Sequence, residues 1–403
     1  VTATEAVQTR TPAWRGGFGR LWTAAVVSKL GDSLRIAAMP LFAASLTDDP
    51  LLIASVTACG YLPWLLFGLL GGAVADRVDQ RRAMWAVDLL RGLLMAGFAG
   101  AVWLDLGSIA LLLALAFALT TLQTLFDNAA TALLPSLVPA EALSSANARL
   151  MTAQQIVGGF VAAPLVPVLL VVGAAMPYAA DAATYAVAAA LVASLRVAAP
   201  ERDPRPAGST LRGEIAEGLR TLWLDRAQRG LCIATTLCNI GMGALIATLV
   251  VHVTGWLGAG AGGYAAVITA FGAGSAAGGL LARRLADRIG RIRSVFVAGL
   301  VQTGCLAAMG SVRALWVTIA AMAVFAVMGM VWNVNQTTLI QERSPAQLLG
   351  RISSAFRTLA VAGAPLGALL GGAAAAAWGP NTPALLAAGL FIPAVASLAP
   401  LIN

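Results

Sequence analysis

The chain has 403 residues, of which 59% are hydrophobic and only 11% charged, against roughly a quarter charged in soluble domains. That balance excludes an ordinary water-soluble enzyme and places the chain in a membrane. The net charge of +8 does not mark a nucleic-acid binder, because the 25 arginines and one lysine sit between apolar runs rather than in one basic patch.

From Thr2 to Arg20 the chain is polar and basic, and the apolar run that follows is longer than a signal core, so no cleavable leader is expected. The start on Val1 suggests a processed or engineered end. Twelve apolar segments follow, at 21–46, 51–75, 83–104, 108–130, 147–173, 175–196, 229–253, 261–284, 293–312, 314–337, 352–378 and 382–402. Each is near or above the ~20 residues that cross a bilayer, and such spans tolerate their many glycines and prolines.

The first span carries Lys29, Asp32 and Arg35. Each ionised group at bilayer depth costs on the order of 2.5–3.5 kcal/mol. The three are therefore expected to share one face, to avoid lipid and to pair with each other. Asp32 lies ~16 Å beyond Leu21 at 1.5 Å per residue, near mid-depth. Two readings stand side by side. Asp32 exchanges a proton with Lys29 and Arg35 tuning it, or the three form a static ion-pair network.

A polar turn, Gly72 to Arg82, joins the second and third spans; Asp88 and Arg91 form an i, i+3 pair in the third. Asp127 closes the fourth span. The fifth holds Gly158, Gly159 and Pro164, and the sixth holds Asp181, expected to be structural. Residues 198–228 form a linker that opens with Pro200, Pro204 and Pro206. It continues as an amphipathic helix with Leu211, Ile215, Leu219 and Leu222 on one stripe, lying under the membrane. His252 at the end of the seventh span reads as a structural polar end rather than a pH sensor. The letters Gly258-Ala259-Gly260-Ala261-Gly262-Gly263 fit a dinucleotide fingerprint, but a membrane span precedes them instead of a strand. Asn333, Asn335 and Gln336 in the tenth span are expected to cap or bridge helices. Gly363, Pro365, Gly367, Gly371 and Gly372 in the eleventh permit close helix packing.

Arginine sets the orientation. With the N-terminus inside, 22 of the 25 arginines fall on the inner side; Arg313 is outside, and Arg35 and Arg91 lie within spans. An even span count puts both termini in the cytoplasm, in a bacterial inner membrane. The four cysteines lie in apolar runs without metal-ligand spacing. No metal or cofactor is expected, and no catalytic constellation or nucleotide loop stands out, so the chain is not expected to be an enzyme.

The 72–82 turn returns at 282–293, with Asp76 and Asp287 211 residues apart. Pro139 to Ser145 likewise echoes Pro345 to Arg351. These repeats imply an all-α membrane protein, twelve transmembrane helices in two pseudo-symmetric six-helix bundles, residues 1–197 and 229–403. The first turn resembles the Gly-x-x-x-Asp-Arg-x-Gly-x-Arg signature of the major facilitator superfamily at Gly72, Asp76, Arg77 and Arg81. It departs from it at Asp79, where a glycine is usual. The second keeps Asp287, Arg288, Gly290 and Arg291, with Arg283 at the leading glycine. Leu134 to Pro139, Glu214 to Arg220 and Gln341 to Pro345 make the chain similar to one branch, the macrolide and siderophore exporters.

The resemblance implies a major facilitator fold with the first, fourth, seventh and tenth spans lining a central cavity. Residues at suitable depth are Asp32, Thr120, Thr121, Asn239, Met242, Phe325 and Met328, a mostly apolar set suited to an amphipathic organic substrate. It also implies an inner gate at Asp76, Arg77, Arg81 and Asp127, with Asp287, Arg288 and Arg291 as the second copy. Asp88 and Arg91 are candidates to join it; the alternative is ordinary solvated turn charge. The function expected is proton-coupled export by alternating access, by a monomer with no nucleic-acid partner. The alternatives are a lipid or lysolipid flippase, which would need a lateral opening and a pocket polar at one end, or a non-transporting sensor or assembly partner.

Overall fold

The computed structural model describes residues 16–75, 79–134, 137–139, 143–195, 211–345 and 348–401. Among them there are helices and no strand. The first six are α1 (Gly17–Leu46), α2 (Pro50–Ala75), α3 (Gln80–Trp103), α4 (Ile109–Leu133), α5 and α6 (Met176–Ala193). Helix α5 runs through Leu143–Ile156, a π-helical stretch Val157–Ala162, and Ala163–Val172. A short α7 (Leu211–Leu224) leads to α8 (Arg226–Val251, with a π-helical end His252–Trp256). Then come α9 (Ala261–Ile289), α10 (Arg291–Ser311), α11 (Leu315–Arg343), α12 (Leu349–Trp378) and α13 (Thr382–Ala396).

Ten of these, α2, α3, α4, α6 and α8 to α13, are long and apolar enough to cross a membrane. Helix α1 carries three charges in its middle and α5 is split by its π stretch. Each still runs 30 residues, 17–46 and 143–172, about 45 Å at 1.5 Å per residue. They complete the twelve. The helices outrun the apolar segments mainly at the arginine-rich face, where polar first and last turns such as Gln80 to Arg82 stay helical outside the apolar band.

The π stretch has a local cause. Pro164 lacks an N–H, and its ring would press on the carbonyl four residues earlier. Widening the preceding turn relieves that contact.

The two echoed turns lead into the next helix by different means. Gly290 has φ +86°, a conformation that a side chain disfavours. Asp79 has φ −66° and accepts a hydrogen bond from the Arg82 N–H at 3.0 Å, capping α3. An aspartate thus serves where the superfamily pattern has glycine.

Helices α1 to α6 pack on one another, as do α8 to α13, and α7 lies against α12 and α8. In α7, Leu222 is fully buried while Trp223 and Leu224 are exposed; the side chains of Leu211 and Ile215 lie outside those described. The bundles meet along α2–α12, α2–α8 and α5–α9. The first seam is closed by small residues at the face opposite the arginines. Ala54, Ala58, Ala247 and Ala368 form one buried cluster. A Cβ on Gly372 would lie 2.7 Å from the Ala54 Cβ and 3.0 Å from the Leu51 Cα. Within the second bundle, a Cβ on Gly363 would meet the Thr236 carbonyl oxygen at 2.6 Å, and Gly367 and Gly371 face the backbone of Ile240 and Ala244. These glycines bring α12 backbone-close to α8.

Candidate functional site

The charged residues of α1 do not form one cluster. Three residues advance a helix by ~300°, so Lys29 and Arg35 stand ~120° apart around the axis. Arg35 points to α6 and Lys29 to α5. The expected mutual pairing holds for Asp32 and Arg35 only.

Asp32 is buried inside the first bundle, and its Oδ1 receives three donors. Arg35 Nη2 donates at 2.9 Å, Arg91 Nη2 from α3 at 2.9 Å, and the Tyr185 hydroxyl from α6 at 2.6 Å. The chain of contacts continues outward in both directions. Arg35 Nε stands 3.4 Å from Asp181 Oδ2. Arg91 Nη1 donates to Asp88 Oδ1 at 3.2 Å, and Arg91 Nη2 also donates to Gln123 Oε1 on α4. Gln123 Nε2 in turn donates to Asp127 Oδ1 at 2.7 Å. The Arg91 guanidinium stacks 4.2 Å above the Tyr185 ring centroid, a cation–π contact that also fixes its plane. Four helices are thereby tied into one line, Asp181–Arg35–Asp32–Arg91–Gln123–Asp127, with Asp88 as a branch.

Helix packing makes this reach work. A Cβ at Gly31 would collide with the Thr184 hydroxyl and the Asp181 carboxylate, and would lie 3.1 Å from the Asp181 Cα. Only a glycine lets α6 come close enough for Asp181 and Tyr185 to meet α1. Asp88, Arg91 and Asp181 are fully enclosed, at 0% exposure, so their charge is compensated by each other and not by water. The Oδ2 atoms of Asp88 and Asp181 are buried without a hydrogen-bond donor.

Asp88 and Arg91, candidates from the sequence to join the gate, belong to this network, which also reaches the gate candidate Asp127 through Gln123. Asp181, read as structural, is an ion-pair partner. Tyr185 and Gln123 carried no charge to flag them; the i, i+4 spacing of Asp181 and Tyr185 was the available signal.

The remaining expected residues are spread out. Lys29 makes no ion pair among the described residues and lies beside Ser33 and Gly158 of α5. Thr121 donates to the Phe117 carbonyl at 2.8 Å, and Asn239 Nδ2 to the Ala360 carbonyl at 2.9 Å. Thr120, Met242 and Met328 are partly buried. Phe325 is 2% exposed with its ring 5.9 Å from Phe391 of α13, inside the second bundle.

At the arginine-rich face Arg81 donates to the Leu195 carbonyl at 2.7 Å. Arg291 pairs with Glu342 at 3.0 Å, and Asp287 with Arg283 at 3.7 Å. Arg288 occupies the last turn of α9, a favourable place for a cation. Asp76 and Arg77 lie outside the described residues. Asn335 and Gln336 bridge helices as expected. Asn335 Nδ2 bonds the Val331 carbonyl at 2.9 Å and reaches Ala282 of α9 at 3.4 Å. Gln336 Oε1 accepts from Thr235 of α8 at 2.5 Å and from Trp332 Nε1 at 2.6 Å.

Twelve spanning helices in two packed sets, with a buried ionic network in one of them, define a membrane transporter of the major facilitator type. Residues 8–402 match the family described as transmembrane secretion effectors, and the chain belongs to that family. An uncharacterised MFS-type transporter of Sinorhizobium fredii, y4rN, is 29% identical over 365 residues, covering 88% of each chain. An MFS-type transporter of Mycobacterium tuberculosis is 32% identical over 133 residues, 32% of this chain and 30% of that protein. Among solved structures, the nucleoside transporter NupG (D323A mutant) superposes with TM-score 0.80 at 10% identity, covering 95% of this chain and 100% of its own. An inward-facing bacterial homologue of the iron transporter ferroportin gives 0.75 at 13%, covering 96% and 98%. At those identities the likeness is one of fold.

Proposed function

We propose that this transporter exports amphipathic organic compounds, a drug, macrolide or siderophore, in exchange for protons, from the cytoplasmic side of a bacterial inner membrane. It works as a monomer with both termini cytoplasmic. Residues 1–197 and 229–403 are the two moving bundles, joined by the linker 198–228. The arginine-rich face is the inner one. The seam of alanines and Gly372 lies on the face opposite the arginines, and in this arrangement that face is closed.

The observation that carries the coupling is the Asp32 network. Three carboxyls, Asp32, Asp88 and Asp181, face two guanidinia, Arg35 and Arg91, and Asp127 is joined to them through Gln123. Fully ionised, the set carries an excess negative charge in a low-dielectric interior, a state that burial penalises. Asp32, whose Oδ1 holds three donors, is the acid assigned the proton exchange, with Arg35 and Lys29 tuning it. Asp88 Oδ2 accepts no hydrogen bond, and Asp181 Oδ2 has only its 3.4 Å ion-pair contact with Arg35 Nε, so either oxygen could take a proton. A proton on Asp181 weakens its attraction for Arg35 and loosens α6 from α1. The proton on or off thus biases two arrangements of the bundle, which is what coupling requires.

Asp76, Arg77, Arg81 and Asp127, with Asp287, Arg288 and Arg291, form the inner gate of the outward-open state. Arg81 would exchange its Leu195 carbonyl for Asp127 as the inner face closes. The substrate contacts assigned are Asp32, Thr120, Thr121, Asn239, Met242, Phe325 and Met328. Phe325 would act from within the bundle by rotation of α11.

The test is efflux from proteoliposomes under an imposed pH gradient, after a stability screen with macrolides, tetracyclines and siderophores chooses the substrate. A ligand at a hundred times its Kd raises apparent stability by about 2.7 kcal/mol. Transport by Asp32→Asn that follows the pH gradient as the parent does removes that residue from coupling. Transport indifferent to the gradient in the parent itself refutes proton exchange.

A further inference from the structure

The second bundle holds a titratable group that the ionic network does not use. His252 is the only histidine of the chain. It opens the π-helical end of α8, at the face opposite the arginines, and is 2% exposed. Its Nδ1 lies 3.3 Å from the Pro380 carbonyl in the turn between α12 and α13. A carbonyl only accepts, so Nδ1 carries the ring proton and the other nitrogen is a bare lone pair. That nitrogen, Nε2, is buried without a hydrogen-bond partner among the described residues. The Trp256 ring lies against the imidazole, 4.9 Å between centroids. The sequence alone marks His252 as a polar helix end; the fixed tautomer and the lone Nε2 come from the fold.

Among the described residues no acid stands against this ring. The π stretch packs on α9, whose first turns carry the buried phenol Tyr264. The turn between α10 and α11 brings Arg313, which is exposed and donates from Nε to the Trp256 carbonyl at 2.6 Å. The turn between α12 and α13 brings the Pro380 carbonyl and the neutral Asn381, whose Nδ2 donates to the Gly310 carbonyl at 2.9 Å. The carboxylates of the first bundle at this face, Asp48, Asp49 and Asp105, are exposed, and none acts on the imidazole. A proton on Nε2 would therefore make a buried N–H with no acceptor, in the neighbourhood of a cation.

We propose that His252 Nε2 is a second proton site, which takes a proton from the medium at the face opposite the arginines and thereby favours opening of that face. The inference rests on the transporter reading for its two alternating faces, and it deepens the proposed response to protons. Position connects the ring to the seam. Ala247, five residues before His252 on α8, belongs to the cluster with Ala54, Ala58 and Ala368 that closes this face. The His252–Pro380 contact ties the end of α8 to the chain just past α12, and α12 also carries Gly372 against α2. The two helices on the second-bundle side of the seam are thus joined at this ring. A charged ring finds no acceptor while α8 and α12 stay in place, and it gains water once they part from α2. The π turn is where α8 can change its register, since it holds one residue more than an α turn. The linkage is reciprocal. Opening admits the proton, and the proton holds the face open. It enters from that medium and returns to it, so His252 sets how readily the face opens and carries nothing across.

The experiment uses the full chain in nanodiscs. The single imidazole is followed by nitrogen NMR on histidine-labelled protein. The width of the face is followed by electron–electron distances between spin labels on Leu46→Cys and Trp378→Cys, both exposed there, with the four native cysteines replaced by alanine. A site that binds its proton in the open arrangement alone raises the open-to-closed ratio by at most about tenfold per pH unit. The expected result is the Nδ1–H tautomer in alkaline buffer and a ratio that rises about tenfold as the pH falls through the ordinary imidazole range. The imidazole should titrate with the same midpoint. His252→Gln keeps a donor for the Pro380 carbonyl but takes no proton, so its ratio should stay constant. An imidazole that remains neutral while the face opens, or a pH response that survives His252→Gln, overturns the proposal. If His252→Gln is poorly folded by size-exclusion profile, the tautomer and the shared midpoint in the parent decide. Efflux indifferent to the pH gradient in the parent, alongside opening that depends on His252, would refute the coupling and leave this site standing. Proton-driven efflux with opening indifferent to His252 would do the reverse.

Discussion

Replacing Tyr185 by Phe isolates one bond of the network. The hydroxyl donates to Asp32 Oδ1 at 2.6 Å, on an oxygen that also serves Arg35 and Arg91. Phenylalanine keeps the ring, and so keeps most of the stacking of Arg91 at 4.2 Å. The fold should survive and only the hydrogen bond should go. Bonds to charged groups contribute about 1.5–3 kcal/mol in water-soluble proteins, but interhelical bonds in membranes average about 0.6 and reach about 1.7 kcal/mol. The membrane figure is the better guide to the reference state, since an unfolded span finds other partners. The charged acceptor argues for its upper end. The expected loss is about 1–1.5 kcal/mol of folding free energy, measured by steric trapping in bicelles. In a double-mutant cycle with Asp32→Asn, the coupling should be of similar size. A coupling inside the ~0.3–0.5 kcal/mol seen between independent sites would mean that Tyr185 merely lies near Asp32, and the line of contacts across α6, α1 and α3 would be broken there.

Other outcomes follow from the same geometry. Gly31→Ala should cost about 1–3 kcal/mol through overpacking against Asp181 and Thr184, and it should abolish transport by parting α1 from α6; normal transport would show that the approach is not required. Asp181→Asn keeps the shape but fixes one carboxyl as neutral, so efflux should lose its dependence on the pH gradient while substrate-stabilised melting persists, and an unaltered dependence rules Asp181 out as a proton site. Gly372→Ala, whose Cβ would lie 2.7 Å from that of Ala54, should part α2 from α12 and impair transport; normal transport would refute the need for that close seam. Asp79→Ala should cost about 1 kcal/mol and Asp79→Gly only a few tenths, whereas Gly290→Ala should cost about 1–2 kcal/mol, all read by unfolding.

The sequence by itself determined the spans, their number and the duplicated plan. A bilayer imposes a length of apolar chain, and that requirement is local. It also marked every acid of the network, because a charge inside an apolar run is conspicuous in one dimension. Partners were a different matter. Lys29 and Arg35 read as one cluster with Asp32, yet a turn of ~100° per residue carried them to different neighbours. Asp88 and Arg91 read as candidates to join a gate, and only the facing of α3 brought Arg91 to Asp32 of α1. Phe325 was at the depth of a cavity but on the side of α11 that meets α13. Depth follows from counting residues along one helix. Rotation about the axis is decided by what the other helices press against it, and the glycines at 31, 158 and 372 have their effect only once a second helix is there to approach them.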